Sequence, residues 1–102
     1  MAHITIDVQG DLANKFNNLM LLFDNKEQLV EKFIDYHVKK FKREISRIQT
    51  DLDEYEKKYN MSSTDFYEQF EAGKLGDDMD FIIWSGIYGL QLERKQKLQE
   101  LL

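Results

Sequence analysis

The chain has no cysteine and no proline, and its 102 residues include only five glycines and two histidines. Without Cys there is no disulfide scaffold and no thiolate metal site, and a reducing compartment, the cytoplasm, is the expected location. Without Pro, and with so few Gly, a loop-rich fold is disfavoured. Long hydrophobic runs are missing too. The longest, Leu19–Phe23 and Phe81–Trp84, fall far short of the roughly 20 apolar residues that a membrane-spanning helix needs. No signal-peptide pattern opens the sequence, so no membrane association is expected. No Ser or Thr sits beside a plausible base. The acids Glu71, Asp77, Asp78 and Asp80 lack the spacing of a calcium loop, and capping of a helix accounts for the aspartates. An enzyme, a metal site and a cofactor are therefore not expected.

What is present suits a small packed domain: 42% of residues are hydrophobic and 13% aromatic. The net charge of −5 is unevenly spread. Residues 1–50 carry eight Lys/Arg against seven Asp/Glu (+1), while residues 51–102 carry six against twelve (−6). This asymmetry divides the chain into a near-neutral half, 1–50, and an acidic half, 51–102, the latter suited to a basic partner.

The axis of the sequence is Leu29–Tyr59, a run with neither Gly nor Pro. Within it Ile34, Val38, Phe41, Ile45, Ile48, Leu52, Tyr55 and Tyr59 recur at alternating steps of four and three, the period of a helix with one narrow apolar seam. Asp35–Lys39, Asp53–Lys57 and Glu54–Lys58 add acid-before-base pairs at helical spacing. The charges flanking the seam do not form the attractive pairs of a homotypic coiled coil, so the chain's own last two helices are expected to cover it. His37, at a flank of the seam, reads as a packed or half-exposed side chain rather than a ligand.

Before this axis, His3-Ile4-Thr5-Ile6-Asp7-Val8 alternates polar and apolar with period two, and it is rich in β-branched residues. The pattern predicts a strand with Ile4, Ile6 and Val8 facing inward. Leu12, Phe16, Leu19, Met20 and Phe23 mark a short helix after Gly10-Asp11, and Asn25 is placed to cap the long one. No other segment reads as β, so the strand must pair with a second copy. The expected fold is mainly α, with one N-terminal strand paired across a homodimer, a long central helix and two C-terminal helices. In element order and apolar pattern, residues 3 to about 45 resemble the ribbon-helix-helix family of DNA-binding regulators. That resemblance implies operator DNA as a partner, with the outward strand residues His3, Thr5 and Asp7 toward the bases and with Asn25 and Lys26 near phosphate. The strand face departs from the family in lacking the Arg, Lys, Asn or Gln that read base edges. Further along, Lys39, Lys40, Lys42, Arg43 and Arg47 form a basic cluster that also suits a solvated helix face.

After Asn60-Met61-Ser62-Ser63 the pattern predicts a helix to about Ala72, then Gly73 and Gly76, then a last helix capped by Asp77 or Asp78. That last helix is apolar on nearly every side between Met79 and Leu92, which implies burial on more than one face. Gly86 and Gly89 lie within it, at a cost of roughly 2 kcal/mol in helix stability, where they open a flat surface to a neighbouring backbone or ring. The run Lys58-Tyr59-Asn60-Met61-Ser62-Ser63, with Phe66-Tyr67-Glu68-Gln69-Phe70, Gly73 through Asp78 and Asp80-Phe81-Ile82-Ile83-Trp84, resembles the tail of small prokaryotic antitoxins. The resemblance implies an antitoxin-type regulator that dimerises, binds operator DNA and neutralises a basic toxin through Phe66, Phe70, Phe81, Trp84 and Tyr88. The alternative is a helical adaptor that does not bind DNA and whose C-terminal helices close its own core. Trp84, the only Trp, is expected to be partly buried on the seam, with one edge of its helix left for a partner.

Overall fold

The structure is a computed structural model describing residues 3–102. The chain forms four helices: α1 (Gly10–Met20), α2 (Lys26–Tyr59), α3 (Ser63–Glu71) and α4 (Met79–Leu101). Their ends follow the capping residues. Asn25 Oδ1 accepts from the Gln28 N–H at 2.7 Å, and Gln28 Oε1 accepts in return from the Asp24 N–H at 2.9 Å. At the far end of α2, Asn60 takes a positive φ of 52°, a conformation Asn tolerates better than most residues, and the chain turns. The Ser62 hydroxyl accepts from the Asp65 N–H at 3.1 Å to start α3, and Gly73 at φ 73° follows its C-terminus. Asp78 caps α4 by accepting from the Asp80 N–H at 2.9 Å.

The chain divides into two compact units, residues 1–35 and 36–102. The second has a core of Leu52, Phe66 and Trp84, all buried. Ile48, Tyr55 and Tyr59 from the α2 seam pack around it, with Phe70 from α3 and with Phe81, Ile87 and Tyr88 from α4. The last two helices thus close on the C-terminal half of the seam. The first unit differs: α1 has no buried residue.

The expectation that fails is the strand. Among the described residues there is none, and residues 3–9 have no regular structure. Ile4, Ile6 and Val8 are exposed rather than turned into a sheet. A period-two pattern records only which side chains can share a face. A ladder also needs partners for its N–H and C=O groups, and every element that follows residue 9 is helical. The ribbon-helix-helix plan, and a homodimer held by its strand, therefore do not describe this fold, although mainly α does.

Candidate interaction groove

In residues 3–35 the apolar side chains line a surface instead of filling a core. Ile4, Ile6, Phe16, Met20, Leu29 and Val30 border a groove of about 660 Å³, with Lys26, Glu27 and Glu31 among its polar members. Because Ile4 and Ile6 are themselves largely exposed, the space is an open groove and not an enclosed cavity. Leu12, Leu19, Leu21, Leu22 and Phe33 add further exposed apolar surface, with Leu21 at 83% and Leu22 at 79%. Residues 1–35 carry three Lys against six Asp/Glu, for a net −3, so this apolar surface lies in an acidic field.

The five residues expected to contact DNA lie in this unit. His3, Thr5, Asp7, Asn25 and Lys26 are all exposed. His3 and Lys26 border the groove. Asn25 is committed to capping α2. No strand face gathers His3, Thr5 and Asp7.

The five aromatic residues expected to meet a partner are brought together, inside residues 36–102. Phe66 and Trp84 are fully buried and stack at 3.8 Å between ring centroids, with an interplanar angle of 3°. Tyr55 and Tyr59 of α2 stack on Trp84 at 5.6 and 5.7 Å. The buried indole N–H donates to Ser63 Oγ at 2.8 Å, so the one polar atom of the Trp is satisfied within the chain. Phe70, Phe81 and Tyr88 are half-buried around this stack, and the Tyr88 hydroxyl is 3.1 Å from that of Thr64.

Polar contacts tie the same unit together. Buried Gln91 on α4 donates through Nε2 to the Ile45 carbonyl at 3.2 Å and to Gln49 Oε1 at 3.0 Å, both on α2. Arg94 Nε lies 2.7 Å from Glu44 Oε2, an ion pair not aligned as a hydrogen bond. Lys58 Nζ contacts Asp80 Oδ2 at 2.6 Å, and the Tyr59 hydroxyl donates to the same oxygen. The hydrogen bonds from Lys58 and then Tyr59 hold the Asp80 carboxyl below its ordinary pKa, while Asp80 raises those of Lys58 and Tyr59. On the outer side of α4, Lys97 likewise lowers the pKa of Glu93.

Among the described residues no three His, Asp or Glu side chains gather where a metal ion could be held. None of the described helices is long and apolar enough to cross a membrane. The chain matches no family model, no curated protein and no solved structure. Its own surfaces carry the argument.

The sequence reading missed the groove because it assigned Ile4 and Ile6 to a strand interior. The signal was present nonetheless. Residues 3–35 hold eleven of the exposed large apolar side chains, more than so short a segment can bury on its own.

Proposed function

We propose that this protein is a helical interaction adaptor whose C-terminal helices close its own core and whose N-terminal region engages another protein. The observation behind this reading is the open apolar groove with Glu27 and Glu31 among its lining residues, in a region of net negative charge. Its apolar members suit the face of an amphipathic helix, and its acids suit a segment with basic flanks. An antitoxin-type regulator with a basic toxin would be one protein of this kind. Its contact surface would then be the groove, since Phe66 and Trp84 are occupied internally. The net charge of residues 1–35 opposes operator DNA at the same surface, because phosphate binding needs cations there.

Titration with two designed helical peptides tests this reading, one of Leu and Lys and one of Leu and Glu. The basic peptide should bind and the acidic one should not. Glu27→Lys with Glu31→Lys should abolish binding, whereas the same reversal at exposed Asp65 and Glu68 should leave it intact. Equal binding of both peptides, or equal loss in both reversed proteins, would reject the groove as the site.

A further inference from the structure

Residues 36–102 leave one aromatic side chain exposed, and it lies among unpaired cations. Every other ring of that unit is buried or half-buried, whereas Tyr36 is 57% exposed, with an edge contact to His37 at 5.2 Å. Steps of four, three and four along α2 set Lys40, Arg43 and Arg47 on the same helical face as Tyr36, turned away from the apolar seam. All three cations are exposed, and none makes an ion pair or a side-chain hydrogen bond among the described residues. Cations elsewhere in the unit do find acids: Lys58 meets Asp80 and Lys97 meets Glu93. Glu44, the one acid in residues 36–50, is already answered by Arg94 of α4 at 2.7 Å.

Helix stability does not explain this arrangement. Residues 36–50 carry five Lys/Arg against one Asp/Glu (+4) in a chain of net −5. Arg43 and Arg47, four apart, repel each other, unlike the acid-before-base pairs Asp53–Lys57 and Glu54–Lys58 further along α2. The middle of a 34-residue helix is also too far from the C-terminus for the helix dipole to favour cations.

We infer that this face of α2 binds single-stranded nucleic acid, with phosphates at Lys40, Arg43 and Arg47 and a base stacked on Tyr36. Charge complementarity selects a polyanion, and the two guanidinium groups suit phosphate oxygens. The exposed ring selects among polyanions, because a base offers it a flat π-face that Asp and Glu side chains lack. An anionic membrane would need an apolar helix face to insert, and the seam of this helix packs into the core. From Tyr36 to Arg47 the stripe rises roughly 16 Å, the reach of a few nucleotides. Exposed Asp51 and Glu54 follow on the same side and end it. A stiff duplex running past Arg47 would meet those acids, whereas a flexible strand can turn away from them. The stripe uses none of the groove residues, so it stands or falls independently of the adaptor reading.

Fluorescence anisotropy with a labelled oligothymidylate of about ten nucleotides tests the inference at low salt. The wild-type chain should bind it, less tightly as salt rises, and unlabelled single strands of DNA and RNA should both compete. Arg43→Glu should weaken binding roughly tenfold. The same charge change at exposed Lys74, between α3 and α4, should alter it by less than about twofold. Tyr36→Ala, which leaves the charge intact, should weaken binding at least roughly fivefold through lost stacking. Each of these residues is exposed, so all three variants should melt as the wild type does. Absence of binding, equal loss in Arg43→Glu and Lys74→Glu, or indifference to Tyr36→Ala would overturn the inference. So would tighter binding of a duplex of the same length. Equal displacement by polyglutamate would make the partner an acidic protein and overturn it too.

Discussion

Residues 36–102 bury what residues 3–35 leave out. The second region has twice the length, and it spends its aromatic side chains on one another: Phe66, Trp84, Tyr55 and Tyr59 form a continuous stack with the indole N–H satisfied by Ser63. The first region is denser in Ile, Val, Leu and Phe, with 13 among residues 3–35 against 17 among residues 36–102, yet α1 buries none of its own. Apolar content alone therefore does not decide what becomes core. Two elements must also present matching faces, and α3 and α4 supply them for the α2 seam where the eleven-residue α1 supplies little. The region without a core is the one fitted to work on something else.

Substitutions can break this contrast, and the largest effect belongs to the stack. Trp84→Ala should cost about 3–5 kcal/mol of stability, read by chemical denaturation, because it opens a cavity lined by Phe66, Tyr55 and Tyr59. A loss below about 1 kcal/mol would mean that Trp84 is not the centre of a core. Next comes Ser63→Ala, which leaves the buried indole N–H without an acceptor and should cost about 1–3 kcal/mol. The Asp80 contact sharpens the comparison through pH. Its carboxyl has a lowered pKa in the folded protein, so its contribution is fully present above the unfolded value and disappears as pH falls through the folded one. Asp80→Asn should flatten the acid limb of the melting-temperature profile. Because Asp80 also raises the pKa values of Lys58 and Tyr59, whose contribution is present below their unfolded values and lost as pH rises, it should flatten the alkaline limb too. An unchanged acid limb would remove the Lys58–Asp80–Tyr59 contact from the account. The smallest effect is expected in the first region, where Leu21→Ser and Leu22→Ser should each stay within about 0.5 kcal/mol of wild type. The same substitutions at Leu52 or Phe66 should not be tolerated.

Much of the second region was legible in the sequence, because its signals were local and agreed with one another. The four-three spacing from Ile34 to Tyr59 marked a helix with one seam, and Ser62 or Ser63 and Asp77 or Asp78 marked the starts of the two helices that close on it, of which the structure uses Ser62 and Asp78. The aromatic residues of α3 and α4 were singled out as the partner-binding group, and the structure packs them around Leu52 and the α2 seam. What spacing could not say was whether the group would face a partner or the seam, because an apolar stripe looks the same in either case. The N-terminal strand was misread for a related reason. Alternation at Ile4, Ile6 and Val8 describes side-chain direction, whereas a strand is made by backbone partners, and the sequence offered no second strand. Gln91 was passed over because a lone Gln in an amphipathic helix normally faces water. Only the approach of α4 to the Ile45 carbonyl explains its burial.

Native-state hydrogen exchange measures both regions in one experiment. The account predicts slow exchange, near the limit set by global unfolding, for the amides of α3, of α4 around Trp84 and of α2 from Ile48 to Tyr59. It predicts exchange orders of magnitude faster in residues 3–9 and in α1 of the free protein. Comparable protection in α1 and α4, or rapid exchange around Trp84, would contradict a closed C-terminal core beside an uncommitted N-terminal surface.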